Sequence, residues 1–228
     1  MNPTLTPPDR HADDFARRRV LAAGLTLSGA IWMSVPRLAR AVQATLLPTP
    51  PNDMGPFYPA VKPAETDADL TTVAGRSARA AGTILYLSGQ VQDAKGRPLA
   101  GAQIELWQAN AFGRYAHPSD SDASGPLDPG FQGYALLSTD AQGNYRLKTI
   151  KPAPYTMRTA HLHLKVASGT TRLTTQMFFE GEAGNERDFL FRQLDRDQRR
   201  AATGRFVERG PSMEADALAV SWNIVLGA

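Results

Sequence analysis

His161-Leu162-His163-Leu164-Lys165-Val166 alternates for six residues, the period of a β-strand that turns one face towards a core. Leu162, Leu164 and Val166 share the inward face, so the two imidazoles share the other. The same alternation recurs upstream, where Ala102, Ile104 and Leu106 interleave with Gln103, Glu105 and Trp107. Residues 83–92 are β-rich and run into the turn Asp93-Ala94-Lys95-Gly96. A second turn, Asp140-Ala141-Gln142-Gly143, precedes the strand-like residues 145–150, and residues 173–179 and 219–226 read as further strands. Many short strands separated by such turns predict an all-β fold, a β-sandwich. One short helix is predicted near the C-terminus, in the charged stretch 186–206, where Phe189, Leu190 and Leu194 fall at helical spacing.

Ahead of the sandwich, placed at residues 82–228, residues 42–81 are rich in proline and lack periodicity. They read as an extended N-terminal arm lying over the domain, with Pro48, Pro50, Pro51, Pro56, Pro59 and Pro63. Residues 1–41 have the order of an export signal: a polar segment ending in Arg17-Arg18-Arg19, an apolar run from Val20 to Val35, and the small-residue site Ala39-Arg40-Ala41. The apolar run is shorter than the ~20 residues that span a bilayer. Arg17-Arg18 followed by Arg19-Val20-Leu21 resembles the twin-arginine signal, which implies cleavage near Ala41 and a periplasmic or extracellular protein with no stable membrane association afterwards.

The formal charge of +3 resides in this leader. Without its six arginines and three aspartates, nineteen basic and nineteen acidic residues remain. A neutral body has no electrostatic footprint for nucleic acid or an anionic membrane. The chain has no cysteine, which an oxidising compartment permits in a domain large enough to rely on its core.

Beyond residue 41 there are three histidines, His117, His161 and His163. Two same-face imidazoles on one strand suit a metal, although a lone His-x-His is a weak signal. The neighbouring sequence supplies further polar groups: Trp107 to Tyr115, then Pro152-Ala153-Pro154-Tyr155 and Arg158.

These elements, in this order, resemble the intradiol ring-cleavage dioxygenases, the family of protocatechuate 3,4-dioxygenase and catechol 1,2-dioxygenase. Gly55-Pro56-Phe57-Tyr58 is similar to an N-terminal family element, and Gly89-Gln90-Val91 through Gly101-Ala102 to its first hairpin. Leu127-Asp128-Pro129-Gly130-Phe131, Gly143-Asn144-Tyr145, Thr149-Ile150-Lys151-Pro152, the His pair and Thr175-Gln176-Met177-Phe178-Phe179 follow in family order. The resemblance runs from about residue 55 to the end. It implies one non-haem Fe(III) per chain held by Tyr115, Tyr155, His161 and His163, with Tyr155 and His163 axial. It also implies catalytic roles for Arg158, Gln176 and Tyr155, with a catechol-type compound and O2 as substrates and a cis,cis-muconate-type diacid as product. The donor set makes chemical sense, because phenolate is a hard anionic ligand suited to a trivalent cation. By analogy with the family, a homo-oligomer is expected.

Only Thr156 and Met157 separate Tyr155 from Arg158, where well-known cytosolic members carry a longer insertion, and Thr159 follows Arg158 where the family often has proline. The short form resembles an exported branch whose substrates are less uniform, so catechol, protocatechuate, hydroxyquinol and larger catechols all stay open. Two other readings compete. Residues 89–150 alone resemble prealbumin-like sandwich repeats, which would make this a non-catalytic binding module. An Fe(II) extradiol-type oxygenase would need a carboxylate beside the His pair, with Glu180 and Glu182 the nearest downstream.

Overall fold

A computed structural model of the chain describes residues 45–120 and 125–227. The segment read as an export signal, residues 1–41, lies outside the described residues.

The all-β expectation holds. Strands β1 (Ile84–Asp93), β2 (Gln103–Trp107), β3 (Tyr134–Ser138), β4 (Asn144–Ile150), β5 (His161–Ser168), β6 (Thr171–Phe179), β7 (Thr203–Phe206), β8 (Leu218–Ser221) and β9 (Ile224–Leu226) dominate the described residues. They form a continuous sheet in the order β3-β2-β5-β6-β7-β8-β1-β4, with β9 also paired to β1. One leaf, β3-β2-β5-β6, is antiparallel throughout. In the other, β1 pairs antiparallel with β4 but parallel with β8 and β9. The short β7 joins the leaves, parallel to β6 and antiparallel to β8. Leu85, Leu87 and Val91 of β1 share a single core with Ile104 and Leu106 of β2, Leu162, Leu164 and Val166 of β5, and Met177 and Phe179 of β6. Full burial of such a side chain stabilises the fold by about 1.5–3 kcal/mol, so this shared core is what folds the sheet onto itself as a sandwich.

Three details depart from expectation. The strand β3 was not anticipated, and residues 219–226 form two strands. The break falls at Trp222, whose N–H donates to Ser88 O at 2.9 Å and whose carbonyl accepts Tyr145 Oη at 2.7 Å. The carbonyl lies so close to Gly89 that a Cβ there would sit 1.7 Å from it, which is why this position of β1 carries no side chain.

The third departure is the helix predicted over residues 186–206. A 3-10 turn (Asn185–Arg187), α1 (Phe189–Gln193), α2 (Arg196–Ala201) and then strand β7 occupy the stretch. Two aspartates interrupt it. Asp188 and Asp195 adopt extended backbone and cap α1 and α2 respectively, the competition with the helix that short acidic side chains favour. Asp195 and Gln198 form a reciprocal capping box. Asp195→Ala is expected to cost about 1 kcal/mol, read as a lowered urea midpoint with an unchanged slope; no shift would deny the cap any energetic role.

The segment 45–81 contributes no strand. It crosses both leaves through backbone bonds, Leu46 N to Ala94 O (2.8 Å), Thr49 N to Val225 O (2.9 Å), Asn52 N to Thr174 O (2.9 Å) and Leu70 N to Lys148 O (2.8 Å). This path lays Gly55-Pro56-Phe57-Tyr58 over the outer face of β2 and β5, the face that bears the histidines.

Candidate metal centre

Strand pairing sets the floor of the site. Trp107 on β2 lies directly opposite His163 on β5, and Gln176 on β6 lies opposite His163 from the other side. The indole stacks on the His163 ring, with centroids 4.9 Å apart and an interplanar angle of 13°. The arm covers this row. At Gly55 (φ +68°) a Cβ would stand 3.2 Å from His163 Cε1. Both imidazoles are therefore almost fully buried, at 2% for His161 and 1% for His163.

Two loops bring phenols to the same spot. Tyr115 follows β2 in a turn organised by Asn110, whose Oδ1 accepts the N–H groups of Phe112 and Arg114 at 2.9 and 3.0 Å. Asp120 Oδ2 accepts the Tyr115 N–H at 2.6 Å. Gly113 (φ +75°) lets this turn pass against Pro154 O, 2.9 Å from where a Cβ would be. Tyr155 opens a tight turn closed by Arg158 N donating to Tyr155 O at 2.8 Å. Within it Thr156 takes φ +46°, a strained conformation for a β-branched residue.

The donor atoms converge. Tyr115 Oη and Tyr155 Oη are 3.3 Å apart, Tyr155 Oη and His161 Nε2 3.4 Å, and His161 Nε2 and His163 Nε2 3.1 Å. His161 Nδ1–H donates to Thr159 O at 2.6 Å; because a carbonyl can only accept, Nε2 is left with its lone pair facing the cluster. Burial lowers the His161 pKa to about 3 and holds His163 well below its usual value, so both rings are neutral at pH 7. Burial likewise pushes the Tyr115 phenol well above its ordinary range, with Tyr155 adding to the effect, and raises Tyr155. His163 Nδ1 is buried without a partner.

This arrangement fits a metal cation. Two neutral imidazoles offer lone pairs, and a nearby multivalent charge reverses the preference of a dry site for un-ionised phenol. A cation on Nε2 would also settle which His163 nitrogen carries its proton. Among the described residues no three His, Cys, Asp or Glu side chains gather to hold a metal. Glu182 pairs instead with Lys151 and Glu180 is exposed, so the carboxylate of a two-His-one-carboxylate site is not assembled. The groups that stand beside the imidazoles are instead the two phenols.

Arg158 and Gln176 adjoin the cluster. Arg158 Nη2 donates to Gln176 Oε1 at 2.5 Å, and Gln176 Nε2 donates to Asp53 O on the arm at 2.7 Å. Asp188, absent from the sequence reading, anchors them. Its Oδ2 accepts Arg158 Nε at 2.8 Å and Thr159 N at 3.0 Å, while its Oδ1 accepts Leu190 N and Phe191 N at the start of α1. An aspartate just before Phe189-Leu190-Phe191 is a helix-cap signal, but nothing local ties it to Arg158. His117 stands apart, half-buried, its ring 5.9 Å from that of Phe57.

Above Tyr155 and Arg158 opens a cavity of about 690 Å³, walled by Phe57, Phe112, Pro154 and Phe189, with Asp120 at its edge. Tyr155 is half-buried and faces it, whereas Tyr115 is 3% exposed behind. Another cleft, between Leu194, Arg196 and Arg205, is remote from these donors.

A β-sandwich carrying a buried cluster of two phenols and two neutral imidazoles below an aromatic cavity defines a class of candidate metalloenzyme. The sequence profile of a family described as "Dioxygenase" matches residues 54–228. The chain is 35% identical over 180 residues to the protocatechuate 3,4-dioxygenase beta chain of Burkholderia cepacia, covering 75% of this chain and 76% of that one. It is 34% identical over 129 residues to catechol 1,2-dioxygenase of Acinetobacter baylyi, spanning 48% of this chain but only 40% of that longer relative. Among solved structures, the dioxygenase domain of a dioxygenase–carbohydrate-binding fusion from Streptomyces sp. SirexAA-E superposes with a TM-score of 0.60 at 30% identity, over 79% of this chain and 99% of that one. The chain belongs to the intradiol ring-cleavage dioxygenases, and is an oxidoreductase of that family.

Proposed function

We propose that this protein is a non-haem Fe(III) enzyme that uses O2 to cleave catechol-type compounds between their two hydroxylated carbons, giving cis,cis-muconate-type diacids in the breakdown of aromatic compounds. The observation that carries this reading is the convergence of Tyr115, Tyr155, His161 and His163 beneath a cavity open to solvent. These four residues would hold one iron per chain. Bound Fe(III) would supply the Lewis acidity that activates a chelated catecholate towards dioxygen.

The protein's own groups account for the rest. Tyr155, the phenol that faces the cavity, is placed to take a substrate proton on Oη. The Arg158 guanidinium, fixed by Asp188 and Gln176, would stabilise negative charge developing on the ring. Phe57, Phe112 and Phe189 provide apolar walls against which an aromatic ring can pack and be oriented. Incubation with catechol under ¹⁸O2 is expected to give cis,cis-muconate with one labelled oxygen in each new carboxyl group. A semialdehyde product would place the cleavage outside the diol and contradict the reading.

The reading extends to export: the order of residues 1–41 supports passage through a twin-arginine route to the periplasm or beyond. Replacing Arg17 and Arg18 by lysine is expected to trap the protein inside the cell, and unchanged fractionation would contradict this. A homo-oligomer is proposed by analogy alone, to be checked by light scattering.

A further inference from the structure

We infer that the preferred substrates are catechols bearing an uncharged, bulky apolar substituent rather than a ring carboxylate; this rests on the ring-cleavage reading above. Arg158 is the one cation among the described residues that line the cavity. It is paired with Asp188, Nε donating at 2.8 Å with side-chain exposures of 9% and 0%, and what charge it has left to offer is committed to the reacting ring in the reading above, not to a substituent. Asp120 adds a carboxylate to the same lining, where its Oδ2 accepts the Tyr115 N–H. A ring carboxylate packed against Phe57, Phe112 and Phe189 would give up part of its water, with no unpaired cation among the described lining residues to meet it. Such a transfer is unfavourable unless the charge finds a partner.

Size points the same way. At about 690 Å³, the cavity falls within the roughly 300–1,000 Å³ range of pockets that hold drug-sized ligands, far more than one catechol ring occupies. An adjoining groove of about 570 Å³ shares Pro154, Thr156 and Arg158 with it and is bordered by Met157, which is 74% exposed. Because Pro154, Thr156 and Arg158 line both spaces, a substituent too large for the first has the second beside it. The groove does contain Arg187, but that side chain is exposed, and a solvated cation offers little to an anion.

Three esters and acids of one scaffold test this: 3,4-dihydroxybenzoate, its methyl ester and its benzyl ester. They are compared by kcat/KM with the iron-loaded protein and, anaerobically, by calorimetric binding. Both esters are expected to exceed the free acid roughly tenfold or more in each measurement. Phe112→Arg, which introduces a cation at the rim, is expected to narrow that gap by improving the acid. Preference for the acid, or exclusion of the benzyl ester while the methyl ester is cleaved, overturns the inference and leaves ring cleavage intact. Failure of all three, and of catechol, to bind or react overturns the ring-cleavage reading itself.

Discussion

His163→Ala is expected to give a folded protein that neither retains iron nor opens a catechol ring. The imidazole supplies one of four converging donors, and its Nε2 sits 3.1 Å from that of His161. Loss of a partner that merely orients a metal ligand costs roughly 10–100-fold in affinity or activity, and loss of a donor exceeds that. The fold has less at stake. The variant gives up a ring stack with Trp107, worth about 0.5–1.5 kcal/mol, but it also removes a buried nitrogen that has no partner. Metal analysis alongside near-ultraviolet circular dichroism separates the two effects. A variant that keeps a full complement of iron would remove His163 from the donor set.

The largest effect on stability is expected at Asp188. One carboxylate, 0% exposed, caps α1, holds the Thr159 N–H and pairs with Arg158. Asp188→Ala leaves the Arg158 guanidinium largely buried and uncompensated, which costs about 3–5 kcal/mol, and removes a cap worth about 1 kcal/mol. Against a typical domain stability of about 5–15 kcal/mol, that is a large fraction. Asp188→Asn restores an acceptor for the α1 cap but turns an amide N–H towards the Arg158 and Thr159 donors, so only the capping share returns. The urea midpoints should fall in the order wild type, Asn, Ala. An Ala variant as stable as the wild type would show that Arg158 finds its compensation elsewhere. Because Thr159 also accepts from His161 through its carbonyl, the same substitution should loosen the orientation of that imidazole.

The sequence reading carried further for strands than for the segments between them. Alternation in residues 161–166 placed the two histidines on one face and the leucines in the core, since a strand's period is local and needs no knowledge of its neighbours. The stack of Trp107 on His163, and Gln176 on its far side, depend on register between β2, β5 and β6, which no single stretch encodes. Tyr115 and Tyr155 had no periodic signal; the resemblance to a family singled them out, and the structure brings their hydroxyls to 3.3 Å. The helix predicted in residues 186–206 is present but split into α1 and α2, because the spacing of Phe189, Leu190 and Leu194 says nothing about where a helix is capped. Asp188 and Asp195 end one element and begin another. Nor does any local pattern mark Asp188 as the anchor of Arg158, a contact across thirty residues.

The proposed function stands or falls on whether Tyr115, Tyr155, His161 and His163 together bind ferric iron. The most direct test is to quantify iron in the purified protein and record its visible spectrum before and after anaerobic addition of catechol, with Tyr115→Phe and Tyr155→Phe in parallel. Close to one iron per chain is expected, with a broad phenolate-to-Fe(III) charge-transfer band that changes with catechol and weakens in each phenylalanine variant. A colourless protein that contains no iron and takes up none when it is supplied would contradict it.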